Sequence, residues 1–193
     1  MKKIKNMTIG ELAAFVSSHL FANGIKAVLS GGACVSIYST NRYQSYDLDF
    51  IENLSTSRKQ IKQVLAEIGF KEDLRYFKHP DTEFFVEFPE GPLAVGDEPV
   101  KEIIKLKYST GELTIISPTD SIKDRLAGYY HWNDLQCLDQ ALMIAEDNKI
   151  DLSELKRWSV VERKSHVFDK IKDQFIKAQR KLEKRTKSRP IIS

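Results

Sequence analysis

Ala27-Val28-Leu29-Ser30-Gly31-Gly32, followed after fourteen more residues by Asp47-Leu48-Asp49-Phe50-Ile51, carries most of the architectural information in this chain. Ala27 to Leu29 reads as a short buried strand that runs into a diglycine, and Val35 to Tyr38 then continue as a short helix. After the polar stretch Ser39 to Gln44, acidic and apolar residues alternate from Asp47 to Ile51, as they do along a half-buried strand. Asp47 and Asp49 therefore leave one face with their Cα atoms roughly 6.6 Å apart, while Leu48 and Phe50 point into the core. Carboxylates aimed the same way from an apolar strand repel each other unless a cation lies between them, and hard Mg²⁺ or Mn²⁺ prefers such oxygen ligands.

Two further features extend this pair into a site. Glu87, flanked by Val86 and Phe88, sits in a later strand, and would add a third carboxylate to Asp47 and Asp49 if the two strands are neighbours. Gly31-Gly32, between a strand and a helix, allows close backbone approach to a phosphate, which the free N–H groups of a helix N-terminus attract. Ser30 and Ser45 add hydroxyl donors. An Asp-x-Asp pair, a diglycine or a strand acid is common when it stands alone. In this order they suggest a phosphate cradle beside metal-binding carboxylates, with a nucleoside triphosphate as ligand.

Working outward, Thr8-Ile9-Gly10-Glu11 fits a capping box, and Leu12, Phe15, Val16, His19 and Leu20 continue at helical spacing as far as Gly24. Ser57 opens a second amphipathic helix through Ile61, Val64, Leu65 and Ile68, ending at Gly69. Leu74 to Lys78 and Phe84 to Phe88 read as strands, the latter broken by Pro89 and Gly91-Pro92. Ile103 to Tyr108 and Leu113 to Ile116 flank a hairpin at Ser109-Thr110-Gly111. Beyond Ser117, which caps a helix opened by Pro118, the pattern is helical over Ile122 to Tyr130, Leu135 to Glu146, Leu152 to Trp158 and Val161 to about Leu182. The expected fold class is α+β: a small mixed β-sheet flanked by helices over residues 1–116, then a C-terminal helical bundle with a basic arm over residues 117–193.

Composition narrows the class. The chain has 193 residues, 41% hydrophobic and 30% charged, the balance of a chain with a packed core rather than a disordered one. No apolar run reaches the ~20 residues of a membrane helix, and Glu11 interrupts the segment after the basic N-terminus, so neither a membrane span nor a secretory signal is expected. Cys34 and Cys137 lack CxxC spacing and read as small buried hydrophobes, consistent with a reducing cytoplasm. His79 and His131 have no partners at zinc-ligand spacing. The net charge of +3 conceals an asymmetry: residues 156–189 carry thirteen Lys and Arg against four acids, whereas residues 1–155 are net acidic. Such an arm suits a polyanion or simply keeps a helix solvated.

Leu29-Ser30-Gly31-Gly32 with Asp47-Leu48-Asp49-Phe50 resembles the signature of the polymerase-β-type nucleotidyltransferase superfamily. Arg42 and Ser45, just before the aspartates, are similar to positions in the minimal nucleotidyltransferases of bacterial toxin–antitoxin systems, the AbiEii and MenT-like group. The segment Ser117-Pro118-Thr119-Asp120-Ser121-Ile122-Lys123-Asp124-Arg125-Leu126-Ala127, with His131-Trp132-Asn133-Asp134 and Asp139-Gln140-Ala141, is similar to a bacterial branch of that group. The resemblance covers roughly residues 25 to 160 and implies a nucleotidyltransferase fold. It implies that Asp47, Asp49 and Glu87 hold Mg²⁺ or Mn²⁺ and that Glu87 activates the acceptor hydroxyl. Ser30, Gly31, Gly32, Arg42, Ser45 and Asp134 would contact the nucleotide, and Lys123 would neutralise phosphate charge. Trp132-Asn133-Asp134 departs from the AbiEii pattern, which has a basic-Lys-Asp run there.

The function implied is transfer of a nucleoside monophosphate from an NTP to a hydroxyl. An RNA 3′ end such as that of tRNA, reached through the basic arm, a protein hydroxyl and a small molecule such as an antibiotic are all compatible acceptors. The toxin role would bring an antitoxin partner. The alternatives are a non-catalytic nucleotidyltransferase-fold binding protein and, last, a DNA-binding protein, for which no helix-turn-helix signature is present. Read from the residues alone, Lys123 is a surface cation paired with Asp120 three residues earlier on its helix, and Trp132 either stacks on a base or, the favoured role, fills a seam between helices.

Overall fold

The computed structural model describes residues 2–52 and 56–187. Three of its helices begin as the sequence dictates. Helix α1 (Ile9–Ala22) opens on the Thr8 capping box, in which the Glu11 N–H donates to Thr8 Oγ1 and the Thr8 N–H to Glu11 Oε2. It ends before Gly24, whose φ of +80° suits a residue without a Cβ. Helix α3 (Arg58–Glu67) is capped by Ser57, and α4 (Pro118–Trp132) by Ser117 with Pro118 in its first turn. Between these lie β1 (Ala27–Ser30), α2 (Gly31–Tyr38) and β2 (Asp47–Glu52).

The middle of the chain is all strand: β3 (Lys71–Asp73), β4 (Tyr76–Lys78), β5 (Phe85–Glu87), the short pair β6 (Ala94–Val95) and β7 (Glu98–Pro99), and the hairpin β8 (Ile103–Tyr108) and β9 (Gly111–Ile116). The strand expected over Leu74 to Lys78 is corrected: Leu74, 87% exposed with φ +56°, belongs to the turn that joins β3 to β4. The two last helices expected, over Leu152 to Trp158 and from Val161 to about Leu182, are both present with their junction moved a few residues on. Helix α6 (Leu152–Val161) closes at Glu162, Arg163 takes a φ of +57°, and α7 (Ser165–Lys187) then begins. Helix α5 (Leu135–Asp147) completes the C-terminal half.

Seven strands form one mixed sheet in the order β3-β4-β5-β2-β1-β9-β8. Strand β2 lies antiparallel to β1 and parallel to β5, and β1 meets β9 in parallel at the single pair Leu29↔Ile115. Register and burial divide the sheet into two faces. Leu29, Phe50, Leu48, Val86 and Ile115 are fully buried on one, where α1 and α2 pack. Val28, Ser30, Asp49, Ile51 and Glu87 alternate onto the other, and all remain partly accessible.

Over this second face runs a strap, residues 89–100, closed by β6 and β7 and tied to α6. The Trp158 indole donates to the Val95 carbonyl and stacks on Tyr130, and Arg157 pairs with Glu98. The hydrophobic cluster is continuous from α1 through the sheet to α7, which contributes Phe168, Ile171, Phe175 and Ala178. Among the described residues, no helix is long and apolar enough to cross a membrane.

Candidate active site

Register decides whether the three acids meet. Asp49 is paired with Ser30 on one side and with Glu87 on the other, so the end of β1, the middle of β2 and the end of β5 line up across the sheet. Asp47, two residues from Asp49 on the same strand, shares its face. The expected convergence of Asp47, Asp49 and Glu87 is therefore present at the level of the backbone, beside the diglycine.

The glycines are needed for that convergence. A Cβ on Gly31 would stand 2.2 Å from Asp49 Oδ2, and one on Gly32 2.8 Å from Ser45 Oγ. Gly31 also has a φ of +68°, where side chains are disfavoured. The turn lets the N-terminus of α2 press against both aspartates, and no side chain caps that N-terminus. Its free N–H groups lie beside the acids and suit an anion.

Each carboxylate has its own surroundings. Ser45 Oγ donates to Asp47 Oδ1, and the Ser45 N–H is held in turn by Ser36 Oγ at 2.8 Å. Glu87 lies 3.3 Å from Arg75 Nε, whose guanidinium rests over the Tyr76 ring. Among the described residues, no side-chain hydrogen bond or ion pair of this kind is made by Asp49, though the charge of Arg125 acts on it. Burial first, then the charges of Asp47, Glu87 and Asp124, push its carboxyl up to about 7. A bound cation would relieve that mutual repulsion, so the all-oxygen donor set fits a hard divalent ion in kind. With Asp47 turned to Ser45 and Glu87 to Arg75, no group of three such side chains is gathered closely enough to grip a metal, among the described residues.

The cleft in front of Asp49 and Glu87 holds about 380 Å³, with Ser30 and Gly31 at its base, Pro92 and Leu93 of the strap on one wall, and Asp124 and Arg125 of α4 on another. Arg125 is braced by Asp124, with Nε to Oδ2 at 3.0 Å, and by the buried Gln140, with Nη1 to Oε1 at 3.3 Å.

The remaining candidates divide. Ser30, Gly31, Gly32 and Ser45 stand at the site. Lys123 does not line the cleft: it is 1% exposed, with its ammonium 2.9 Å from Asp120 and 2.6 Å from Glu154. One residue of rotation turns it inward and gives the cleft to Asp124 and Arg125. The pairing with Asp120 expected from spacing is present, but buried rather than at the surface. Arg42 bonds Glu146, Asp147 and the Met143 carbonyl on α5, away from the cleft lining, and Asp134 caps α5 through the N–H groups of Gln136 and Cys137. Trp132, expected to fill a seam, is 77% exposed. Cys34 is buried as expected, whereas Cys137 is only partly so.

The described part of the basic arm likewise lies apart, since no residue of α6 or α7 lines the cleft, and residues 188–193 lie outside the described residues. Several of its cations are already paired: Arg157 with Glu154 and Glu98, Lys181 with Glu146, and Arg185 with Asp147. Sequence reasoning passed over Arg125, Asp124 and Leu93. The first two stood in plain view beside Lys123, and only the docking of α4 selects between them.

No protein-family model matches the chain, and comparison with curated proteins gives no match either. Among solved structures, the chain is similar to the antibiotic-resistance factor ANT(2'')-Ia in solution, with a TM-score of 0.49 and 10% identity over 84% of this chain and 91% of that one.

Proposed function

We propose that this protein transfers a nucleoside monophosphate from an NTP to an acceptor hydroxyl and releases pyrophosphate. The observation that carries the proposal is the register Ser30–Asp49–Glu87 across three neighbouring strands, with the uncapped, glycine-opened N-terminus of α2 against Asp49. Anion-binding backbone suits a polyphosphate and a row of carboxylates suits a hard divalent ion, so a cleft that offers both suits the two together. Asp47, Asp49 and Glu87 would hold Mg²⁺ or Mn²⁺, which when bound polarises phosphoryl oxygens and offsets their charge.

In this reading the first N–H groups of α2 orient the phosphates, and Arg125, braced by Asp124 and Gln140, neutralises developing negative charge on the cleft wall. Glu87 accepts the proton of the acceptor hydroxyl. The acceptor oxygen bonds to the α-phosphorus as the bond from that phosphorus to the α–β bridging oxygen breaks, and pyrophosphate leaves with that electron pair. Ser45 keeps Asp47 directed along the strand face.

The test is pyrophosphate release and label transfer from each of the four NTPs with Mg²⁺, using total RNA and small alcohols as acceptors. Asp47→Ala and Asp49→Ala should each lower turnover by about a hundredfold or more. Nucleotide binding with no turnover under any acceptor would instead identify a non-catalytic binding protein.

A further inference from the structure

A second hollow, of about 480 Å³, opens on the same face of the sheet as the carboxylates. It arises where β1 and β9 part company. The two strands pair only at Leu29↔Ile115, and before that point α1 takes the place of a strand partner for β9. The N–H groups of Thr114 and Glu112 donate to Ser17 Oγ and Ser18 Oγ at 3.2 and 2.7 Å. The gap left over is lined by Phe21, Val28, Leu93, Ile103 and Thr114.

Two observations tie this hollow to the proposed reaction. Leu93 of the strap is a wall of both it and the carboxylate cleft, so one side chain separates them. Val28 faces the same way as Ser30 and is paired with Ile51, which places the hollow's floor two residues, about 7 Å, from Asp49 along the strands.

The lining also states what kind of molecule fits. The Ser17 and Ser18 hydroxyls are already engaged by β9, and the Lys105 ammonium is satisfied by Glu112 at 2.6 Å and by the Phe21 ring. Lys26, an exposed lysine, also lines the hollow; the rest of the remaining surface is mainly apolar, concave and within the size range of small-molecule sites, and far smaller than the patch a second protein chain needs. A nucleic-acid backbone would call for a row of cations here, whereas Lys105 is paired with Glu112 and Lys26 is a single charge.

We infer that this hollow is the acceptor subsite: it takes the neutral apolar or aromatic body of a small alcohol whose hydroxyl, on an arm of about 8 Å, reaches past Leu93 to Asp49, with Glu87 one strand beyond. This rests on the nucleotidyl-transfer reading and narrows its acceptor.

The probe is 5-(2-naphthyl)pentan-1-ol, whose extended chain sets the hydroxyl about 8 Å from the ring as the arm requires, with ethanol and total RNA as comparison acceptors and the full chain as enzyme. Naphthalene fluorescence reads binding directly, without turnover. Ile103→Asp should weaken that binding about tenfold or more, by setting a charge in the apolar lining. Phe21→Ser, at a residue 64% exposed and so safe for folding, should weaken it severalfold. ATP with Mg²⁺ should bind both variants as it binds the parent. Label transfer to the naphthyl alcohol should exceed transfer to ethanol by at least about tenfold in kcat/KM and fall in both variants. Binding of the probe that is equal in all three proteins, or transfer to RNA alone, overturns the inference and leaves the transferase reading standing. Transfer to no acceptor, with probe binding still dependent on Ile103, removes the transferase reading and with it this hollow's role as acceptor site.

Discussion

Replacing Asp49 by Asn should make the protein more stable at alkaline pH while abolishing its activity. The Asp49 carboxyl is raised from 3.8 to about 7, chiefly by burial and then by the charges of Asp47, Glu87 and Asp124. Between those two values the folded chain keeps a proton that the unfolded chain has released, so stability falls as pH rises through this window. At roughly 1.36 kcal/mol per pH unit, the cost is about 1.5 kcal/mol at pH 5 and about 4 kcal/mol by pH 8. Asn is isosteric with the protonated acid and carries none of it. Urea unfolding in EDTA should therefore show Asp49→Asn gaining on the parent by about 2–3 kcal/mol between pH 5 and pH 8. Adding Mg²⁺ at pH 8 should close part of the gap from the parent's side only. Parallel stability curves for the two proteins, or a variant that is weaker at pH 8, would refute the claim that like charges in a buried row set the character of this site.

Lys123→Met should cost about 3 kcal/mol in urea unfolding, because buried Asp120 loses its cation while Glu154 keeps Arg157 and Lys101, and should leave the KM for NTP unchanged; a tenfold rise in KM at unaltered stability would put Lys123 back at the nucleotide. Gly31→Ala should both destabilise the fold, by about 1–2 kcal/mol from the left-handed backbone alone, and cut pyrophosphate release by driving Asp49 from its place. Gly24→Ala, with φ +80° and open space around it, should show the backbone cost without the loss of activity.

Local rules account for much of the site. The alternation Asp47-Leu48-Asp49-Phe50 puts both acids on one face, whichever strands turn out to be neighbours, because successive residues of a strand point to opposite sides. The capping box at Thr8 and the cap at Ser117 form from residues within one turn of each other. Where competing local patterns were equally good, the sequence misled. Leu74 is as apolar as any strand residue, yet it turns a hairpin, and the break between the last two helices, expected between Trp158 and Val161, falls at Glu162 to Lys164.

What the chain determines by itself is which residues share a face: the two aspartates on β2, the diglycine at the mouth of a helix, the acid in β5. Long-range pairing alone decides which faces meet. Glu87 stands beside Asp49 because β5 joins β2 in parallel across nearly forty intervening residues. Lys123, Asp124 and Arg125 fan out around α4 at about 100° per residue, so only the docking of that helix on α6 and the strap buries the first and presents the other two. The hollow behind Leu93 has no local signature at all, since it is the space left where two strands diverge, and such a space belongs to their packing rather than to any run of residues.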